Sequence, residues 1–199
     1  MREILKALYK IKLFKRIIPS LLKRVAKVFK KESVIIKHKK LFFDLNLNNP
    51  IDREIYLKGD YEKEQINLMS ELIDQHNIKY FFDIGAHMGF YSINLSKKKI
   101  KVFAFEPVKK NYEQLERNKL INKFSNLTLY NFALSNENKE IVMWVPDGNK
   151  TGGFSIFDKN DEEIKNYESE KLIKIGGPSR KGDEIIKIKN DNIAIKIDV

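Results

Sequence analysis

Tyr80-Phe81-Phe82-Asp83-Ile84-Gly85-Ala86-His87-Met88-Gly89-Phe90-Tyr91-Ser92 decides the fold of this chain. The first five residues are a short apolar run of strand type and the next five a small-residue loop. Phe90 to Lys97 then has helical character, so the order is strand, glycine turn, helix. A second buried-strand run, Lys101-Val102-Phe103-Ala104-Phe105, ends on Glu106-Pro107. A helix from about Lys109 to Asn122 leads to a third strand, Leu127-Thr128-Leu129-Tyr130-Asn131. Strands alternating with helices specify an α/β fold, a parallel sheet with right-handed crossovers. Ligands of such sheets bind beyond the carboxyl ends of the strands, where the strand order reverses.

The loop chemistry narrows the ligand. Gly85 lets the chain turn sharply off the strand, and Gly89 lets backbone N–H groups at the helix start approach a ligand closely. Glu106 closes the second strand, where a carboxylate accepts hydrogen bonds from two adjacent ribose hydroxyls. A nucleoside-bearing cofactor suits that placement. A dinucleotide fold would show G-x-G-x-x-G, whereas the pattern here is Asp83-x-Gly85-x-x-x-Gly89, with an acid before the first glycine. That acid would repel a pyrophosphate but not the amino and sulfonium groups of S-adenosylmethionine.

At these residues the chain resembles FkbM-type S-adenosylmethionine-dependent methyltransferases. The resemblance runs from about Gly59 to the end. It rests on four ordered motifs: Phe82 to Ser92, Phe103-Ala104-Phe105-Glu106-Pro107, Asn131-Phe132-Ala133-Leu134-Ser135 and Ile195-Lys196-Ile197-Asp198-Val199. It implies a class I Rossmann-like α/β/α sandwich and methylation of hydroxyls on sugars, including bacterial surface glycans, or on natural products. Carried over position by position, Asp83 would organise the methionine end of the cofactor. Gly85, Ala86, His87 and Gly89 would contribute loop backbone, Glu106 would hold the ribose, Ala133 would offer backbone to adenine and Asn131 a side-chain contact. Two departures stand out: His87 replaces the family's usual Asn, and the family continues past Asp198-Val199 with Glu-Gly and further strands and helices. The expectation is therefore a partial gene product, with an incomplete substrate wall, that binds cofactor better than it turns over.

Methyl transfer is an in-line displacement, so positioning supplies much of the acceleration, while a sugar hydroxyl benefits from a general base. Asp198 and His87 are the catalytic candidates within the crevice. Asp198 ends the strand expected beside the first one, where an acceptor would enter. Trp144 and the Gly152-Gly153 turn are candidates for an acceptor wall, with core packing the alternative reading. The chain from Lys139 to Asp191 reads as β-rich, with strands at 140–145, 153–157, 171–175 and 184–188. His38 and His76 fall outside the motifs and read as surface residues. No metal constellation is visible, and the absence of Cys excludes a disulfide scaffold, a thiolate zinc site and a catalytic Cys.

Working outward, 199 residues are enough for one main domain, and thirteen Phe and eight Tyr argue against disorder. The net charge of +11 is concentrated: residues 1–40 hold fourteen Lys and Arg against Glu3 and Glu32, giving +12, and the remainder gives −1. Within Arg2 to Lys31, apolar residues recur at spacings of three and four with Lys and Arg between them, and Pro19 is expected to kink or split the helix. No apolar run reaches the ~18 residues of a membrane span. The arm reads as an amphipathic helix lying on an anionic membrane surface or docked on its own domain. Residues 33–79 read as a connecting layer: strands at 34–36 and 41–45, a turn at Asn46 to Pro50, then Asp60 as N-cap of a helix carrying Ile66, Leu68, Met69, Leu72 and Ile73.

The expected organisation is a basic helical arm at 1–32, the connecting layer at 33–79 and an S-adenosylmethionine-binding region at 80–199. The expected function is O-methylation of a saccharide hydroxyl by a cytoplasmic protein, peripheral on the inner face of the membrane, with no nucleic-acid partner. The alternatives are an RNA methyltransferase guided by the basic arm, though no base-flipping motif is seen, and a nonenzymatic membrane-associated fragment.

Overall fold

The computed structural model describes residues 2–59, 61–146, 172–188 and 191–198. The chain forms two compact units, Met1–Lys63 and Glu64–Val199.

In the first unit, helices α1 (Arg2–Tyr9) and α2 (Phe14–Val28) pack with α3 (Pro50–Lys58), next to a hairpin of β1 (Ser33–His38) and β2 (Leu41–Asn46). The hairpin turns on Lys39 and Lys40, both at positive φ, so two lysines adopt the left-handed pair that Asn-Gly usually supplies. Ile36, Leu41, Phe43, Leu45, Ile55 and Leu57 form the core, joined by Ile18 and Ala26 of α2. Arg2 ties α1 down, donating from Nε to the Tyr56 carbonyl at 2.9 Å with its guanidinium over the Tyr56 ring.

The break in the basic arm is not at Pro19. It falls at residues 10–13, where hydrogen bonds tighten to three-residue spacing, Lys10 N to Ala7 O and Ile11 N to Leu8 O. Pro19 lies inside α2 and forfeits only the bond its missing N–H would have made, while Ile18 and Ala26 anchor the helix on either side. The turn expected at Asn46 to Pro50 leads directly into α3. Asn49 caps that helix through Oδ1 to Ile51 N at 3.0 Å, Pro50 opens it and Gly59 closes it at φ 78°. Its boundary signals were in the sequence; its weak apolar periodicity hid it. Asp60, the expected N-cap of the next helix, lies outside the described residues.

The second unit runs α4 (Lys63–Gln75), β3 (Tyr80–Ile84), α5 (Phe90–Leu95), β4 (Lys101–Phe105), α6 (Lys109–Asn122), β5 (Leu127–Tyr130), β6 (Ala133–Ser135), β7 (Lys139–Pro146), β8 (Leu172–Lys181) and β9 (Ile193–Ile197). Four strands form the parallel sheet in the order β5-β4-β3-β9, an α/β Rossmann-like arrangement. Pairing is in register, with Phe82 opposite Phe103 and Ile195, and Phe105 opposite Tyr130. One face therefore carries an aromatic ladder, Phe82 on Phe103 at 5.2 Å between centroids and Phe105 on Tyr130 at 4.8 Å. Phe81, Val102, Ala104 and Leu127 alternate to the other face and are fully buried. α5 packs on β4 and α6 on β5.

A separate small sheet has the order β6-β8-β7, with β6 parallel and β7 antiparallel to β8. Residues 184–188, expected as a strand, instead carry a single helical turn at Gly182–Ile185 closed by Ile186 N to Gly182 O at 2.8 Å. Three isoleucines in five residues mimic a strand, but Asp183 and Glu184 favour the start of a helical turn. The strand expected at 153–157 and the Gly152-Gly153 turn lie outside the described residues, as does the Trp144 side chain.

Candidate functional site

β3 sits between β4, the next strand in sequence, and β9, so chain order reverses across it. That is where an open parallel sheet leaves a crevice beyond its strand ends. Asp83, Glu106 and Asp198 mark the carboxyl ends of β3, β4 and β9.

The loop after β3 is shaped by two left-handed glycines. Gly85, at φ 75°, faces the chain after β9: a Cβ there would lie 1.9 Å from the Asp198 carbonyl oxygen. Gly89, at φ 85°, opens α5, and a Cβ would lie 2.1 Å from Leu115 Cδ1. Between them His87 is also left-handed, at φ 52°, a region that His and Asn enter more readily than most residues. The N–H groups of Gly85 and Ala86 both donate to the Phe105 carbonyl at 3.0 Å, and Asn118 on α6 donates from Nδ2 to the Met88 carbonyl at 3.0 Å. The loop is thus pinned from β4 and α6 together.

Asp83 is 1% exposed. Its Oδ2 accepts from Ser92 N at 3.1 Å and Ser92 Oγ at 2.6 Å, which caps the start of α5. Its Oδ1 is buried with no hydrogen-bond partner among the described residues; Lys196 Nζ lies 3.5 Å away, long for a hydrogen bond but close for charge attraction. Burial pushes the Asp83 carboxyl above its usual range, and Lys196 and Ser92 partly offset that.

Glu106 is 4% exposed. Its Oε2 accepts from His87 N at 2.7 Å and its Oε1 from Val108 N at 2.9 Å, with Asn111 Nδ2 at 3.4 Å. Burial raises its pKa to about 7 against the pull of those donors. One carboxylate therefore ties the β3 loop to the entry of α6.

Asn131 donates from Nδ2 to the Glu106 carbonyl at 2.8 Å and the Pro107 carbonyl at 3.2 Å, fastening the chain after β4. Ala133 begins β6 opposite Ser179 of β8 and packs with Val108, Ile141 and Met143. Asp198 is exposed; its N–H donates to the Ile84 carbonyl at 3.0 Å. The structure thus brings Asp83, the Gly85–Gly89 loop, Glu106, Asn131 and Asp198 to one end of the sheet. His38 belongs to the other unit and His76 ends α4. Among the described residues no cluster of His, Asp or Glu could hold a metal ion, and no helix is long and apolar enough to cross a membrane.

Sequence reading missed two residues here. Lys196 reaches into the crevice, with Nζ 3.1 Å from the Gly85 carbonyl, 3.4 Å from Asp198 Oδ2 and 5.4 Å from the Tyr91 ring centre. Its signal was the alternation of β9, which sends residues 194 and 196 to the face that carries Asp83. Ser92, at the end of the first motif, is the other: it pairs with Asp83 nine residues away through both its N–H and its hydroxyl.

A buried carboxylate on Asp83, whose Oδ1 has an ion-pair partner in Lys196 but no close hydrogen bond, and a buried, backbone-held carboxylate on Glu106 fit a ligand with a cationic amino end and a ribose diol. The sequence matches the family described as "Methyltransferase FkbM domain" over residues 83–197. No curated protein matches the chain. Similar solved structures include M. jannaschii TYW2 in complex with AdoMet, at 22% identity and TM-score 0.34, covering 49% of this chain and 42% of that one. P. horikoshii TYW2 in complex with MeSAdo follows at 14% identity and TM-score 0.42, covering 62% and 50%. A SAM-dependent methyltransferase from Agrobacterium tumefaciens is 8% identical with TM-score 0.41, covering 51% and 33%. The chain spans half or less of the length of each of these three proteins.

Proposed function

Because the chain belongs to the FkbM methyltransferase family, we propose that it is an S-adenosylmethionine-dependent O-methyltransferase acting on a saccharide hydroxyl, in a surface glycan, or on a natural product. The observation that carries this reading is the pair of buried strand-end acids, Asp83 and Glu106, on either side of the Gly85–Gly89 loop. Asp83 would face the amino end of the cofactor with Oδ1, which is ion-paired with Lys196 at 3.5 Å, and Glu106 would face the ribose hydroxyls. The backbone of Gly85, Ala86, His87 and Gly89 would line the approach, with Asn131 and the Ala133 backbone on the adenine side.

S-adenosylmethionine, when bound, supplies a methyl group on a cationic sulfur that leaves neutral. The chain must add an oriented acceptor and a place for its proton. This chain's own residues would hold the acceptor hydroxyl in line with that methyl group and receive the proton the hydroxyl gives up. Asp198 and His87 are the bases we propose, with Lys196 orienting Asp198 from 3.4 Å. We assign this role to residues 80–199, and to residues 1–31 a peripheral contact with the inner face of an anionic membrane in the cytoplasm; residues 33–79, read from sequence as a connecting layer, divide between the two units, with β1, β2 and α3 in the first and α4 in the second. No nucleic acid enters this scheme.

Isothermal calorimetry tests the reading. S-adenosylmethionine should bind and NAD should not, and Glu106→Ala should weaken binding by about 1 to 3 kcal/mol through loss of charge-assisted hydrogen bonds. Indifference to that substitution, or a preference for NAD, overturns the cofactor assignment. Transfer of labelled methyl into RNA and not into saccharide overturns the acceptor class.

A further inference from the structure

The apolar positions of α2 separate into two neighbouring stripes. Ile18 and Ala26, each 4% exposed, face the core of the first unit, with Leu22 half-buried between them. Displaced by one residue, Ile17, Leu21 and Val25 recur at intervals of four, and Val28 and Phe29 continue them. These five are 44% to 75% exposed. A surface helix needs one apolar stripe to hold it on its domain. The second stripe holds nothing in this unit.

Ile11 and Leu13, in the link before α2, are exposed as well, so the row extends about one turn beyond the helix. A continuous exposed apolar row marks an interaction surface, whereas scattered apolar residues do not.

The charge around the row says what covers it. Lys12, Lys15, Arg16, Lys23, Arg24, Lys27, Lys30 and Lys31 are all exposed along the same segment, and no acid occurs between Glu3 and Glu32. A second copy of this arm would bring like charges together and be repelled. An anionic bilayer offers phosphates to the cations and an acyl boundary to the row at the same depth. Because Ile18 and Ala26 remain in the core, the helix docks as part of a folded unit and need not peel away.

We propose that this second stripe, Ile17, Leu21, Val25, Val28 and Phe29 with the flanking Lys and Arg, is a docking face for anionic lipid, on which α2 lies parallel to the membrane plane. This deepens the membrane part of the proposed function and is independent of its methyl-transfer part. Flotation of the full chain with vesicles tests it, comparing equal parts phosphatidylglycerol and phosphatidylcholine with phosphatidylcholine alone. The chain should float with the anionic vesicles only. The double substitution Leu21→Glu, Val25→Glu should lower partitioning by about tenfold or more while circular dichroism and S-adenosylmethionine affinity stay unchanged. As a second readout, Leu21→Trp should show blue-shifted emission on adding anionic vesicles. Flotation that survives the double substitution overturns the proposal, as does indifference of the intact chain to anionic lipid. So does concentration-dependent self-association abolished by the same substitution, which would make a second copy the occupant. Loss of cofactor binding in an unmodified chain that still floats would sink the methyl-transfer reading and leave this one standing.

Discussion

Glu106 shows how one side chain couples packing to chemistry. Its folded pKa of about 7 lies above its ordinary 4.5, so the folded state holds the proton more tightly than the unfolded chain does. The stability it contributes is fully present below about pH 4.5 and lost as pH rises through about 7, a change of roughly 3 kcal/mol. Urea unfolding across that window should show the decline, and Glu106→Gln should remove that component of it. Affinity for S-adenosylmethionine should run the other way, rising through pH 7 as the ionised carboxylate becomes the better acceptor for ribose hydroxyls. Calorimetry on both sides of neutrality checks that second slope. His87 obeys a backbone rule: at φ 52° it should tolerate replacement by Asn or Gly, whereas His87→Val should cost about 1 to 2 kcal/mol in thermal unfolding.

At the scale of elements, the two loop glycines are unequal although both are left-handed. A Cβ on Gly85 would meet a carbonyl oxygen of the backbone after β9, and a Cβ on Gly89 would meet the end of a flexible Leu115 side chain. Gly85→Ala should therefore destabilise the protein more than Gly89→Ala, and denaturant midpoints for the two variants decide it. Equal loss in the two variants would show that Leu115 cannot move aside. β3 and β4 are each paired on both sides, so their amides should exchange with solvent most slowly in the four-stranded sheet, ahead of β5 and β9. The Gly turn was legible because the strand, the acid and the glycines each have one strong local preference. α3 was not, because its caps lacked a periodic stripe to announce a helix between them.

For the whole molecule, every residue proposed for the cofactor lies in the unit Glu64–Val199, and the basic arm with its hairpin and α3 lies in Met1–Lys63. S-adenosylmethionine at a hundredfold excess over its dissociation constant should stabilise the unit it binds by about 2.7 kcal/mol. Hydrogen exchange should show that protection in β3, β4 and β9 and leave the amides of β1 and β2 unchanged. Equal slowing in the hairpin would show that the two units open together.

The sequence by itself determined the order of strand, glycine loop and helix, the acids closing β3 and β4, the family to which the chain belongs and the concentration of charge in its first forty residues. Each of these is written in neighbouring residues, through side-chain period, glycine placement or simple counting. Only the tertiary structure decided that Asp83 divides its oxygens between Ser92 and an ion pair with Lys196, and that Glu106 grips the loop at His87. Ser92 meets Asp83, and His87 meets Glu106, only because the glycine loop folds back over the strand ends, and Lys196 meets Asp83 only through the register of β9 with β3; no local preference encodes either. The same holds for the arm: periodicity marked its apolar positions, but only packing against the core of its own unit separated the stripe that holds α2 in place from the stripe left facing outward. Burial depends on what the rest of the chain brings to that side of the helix.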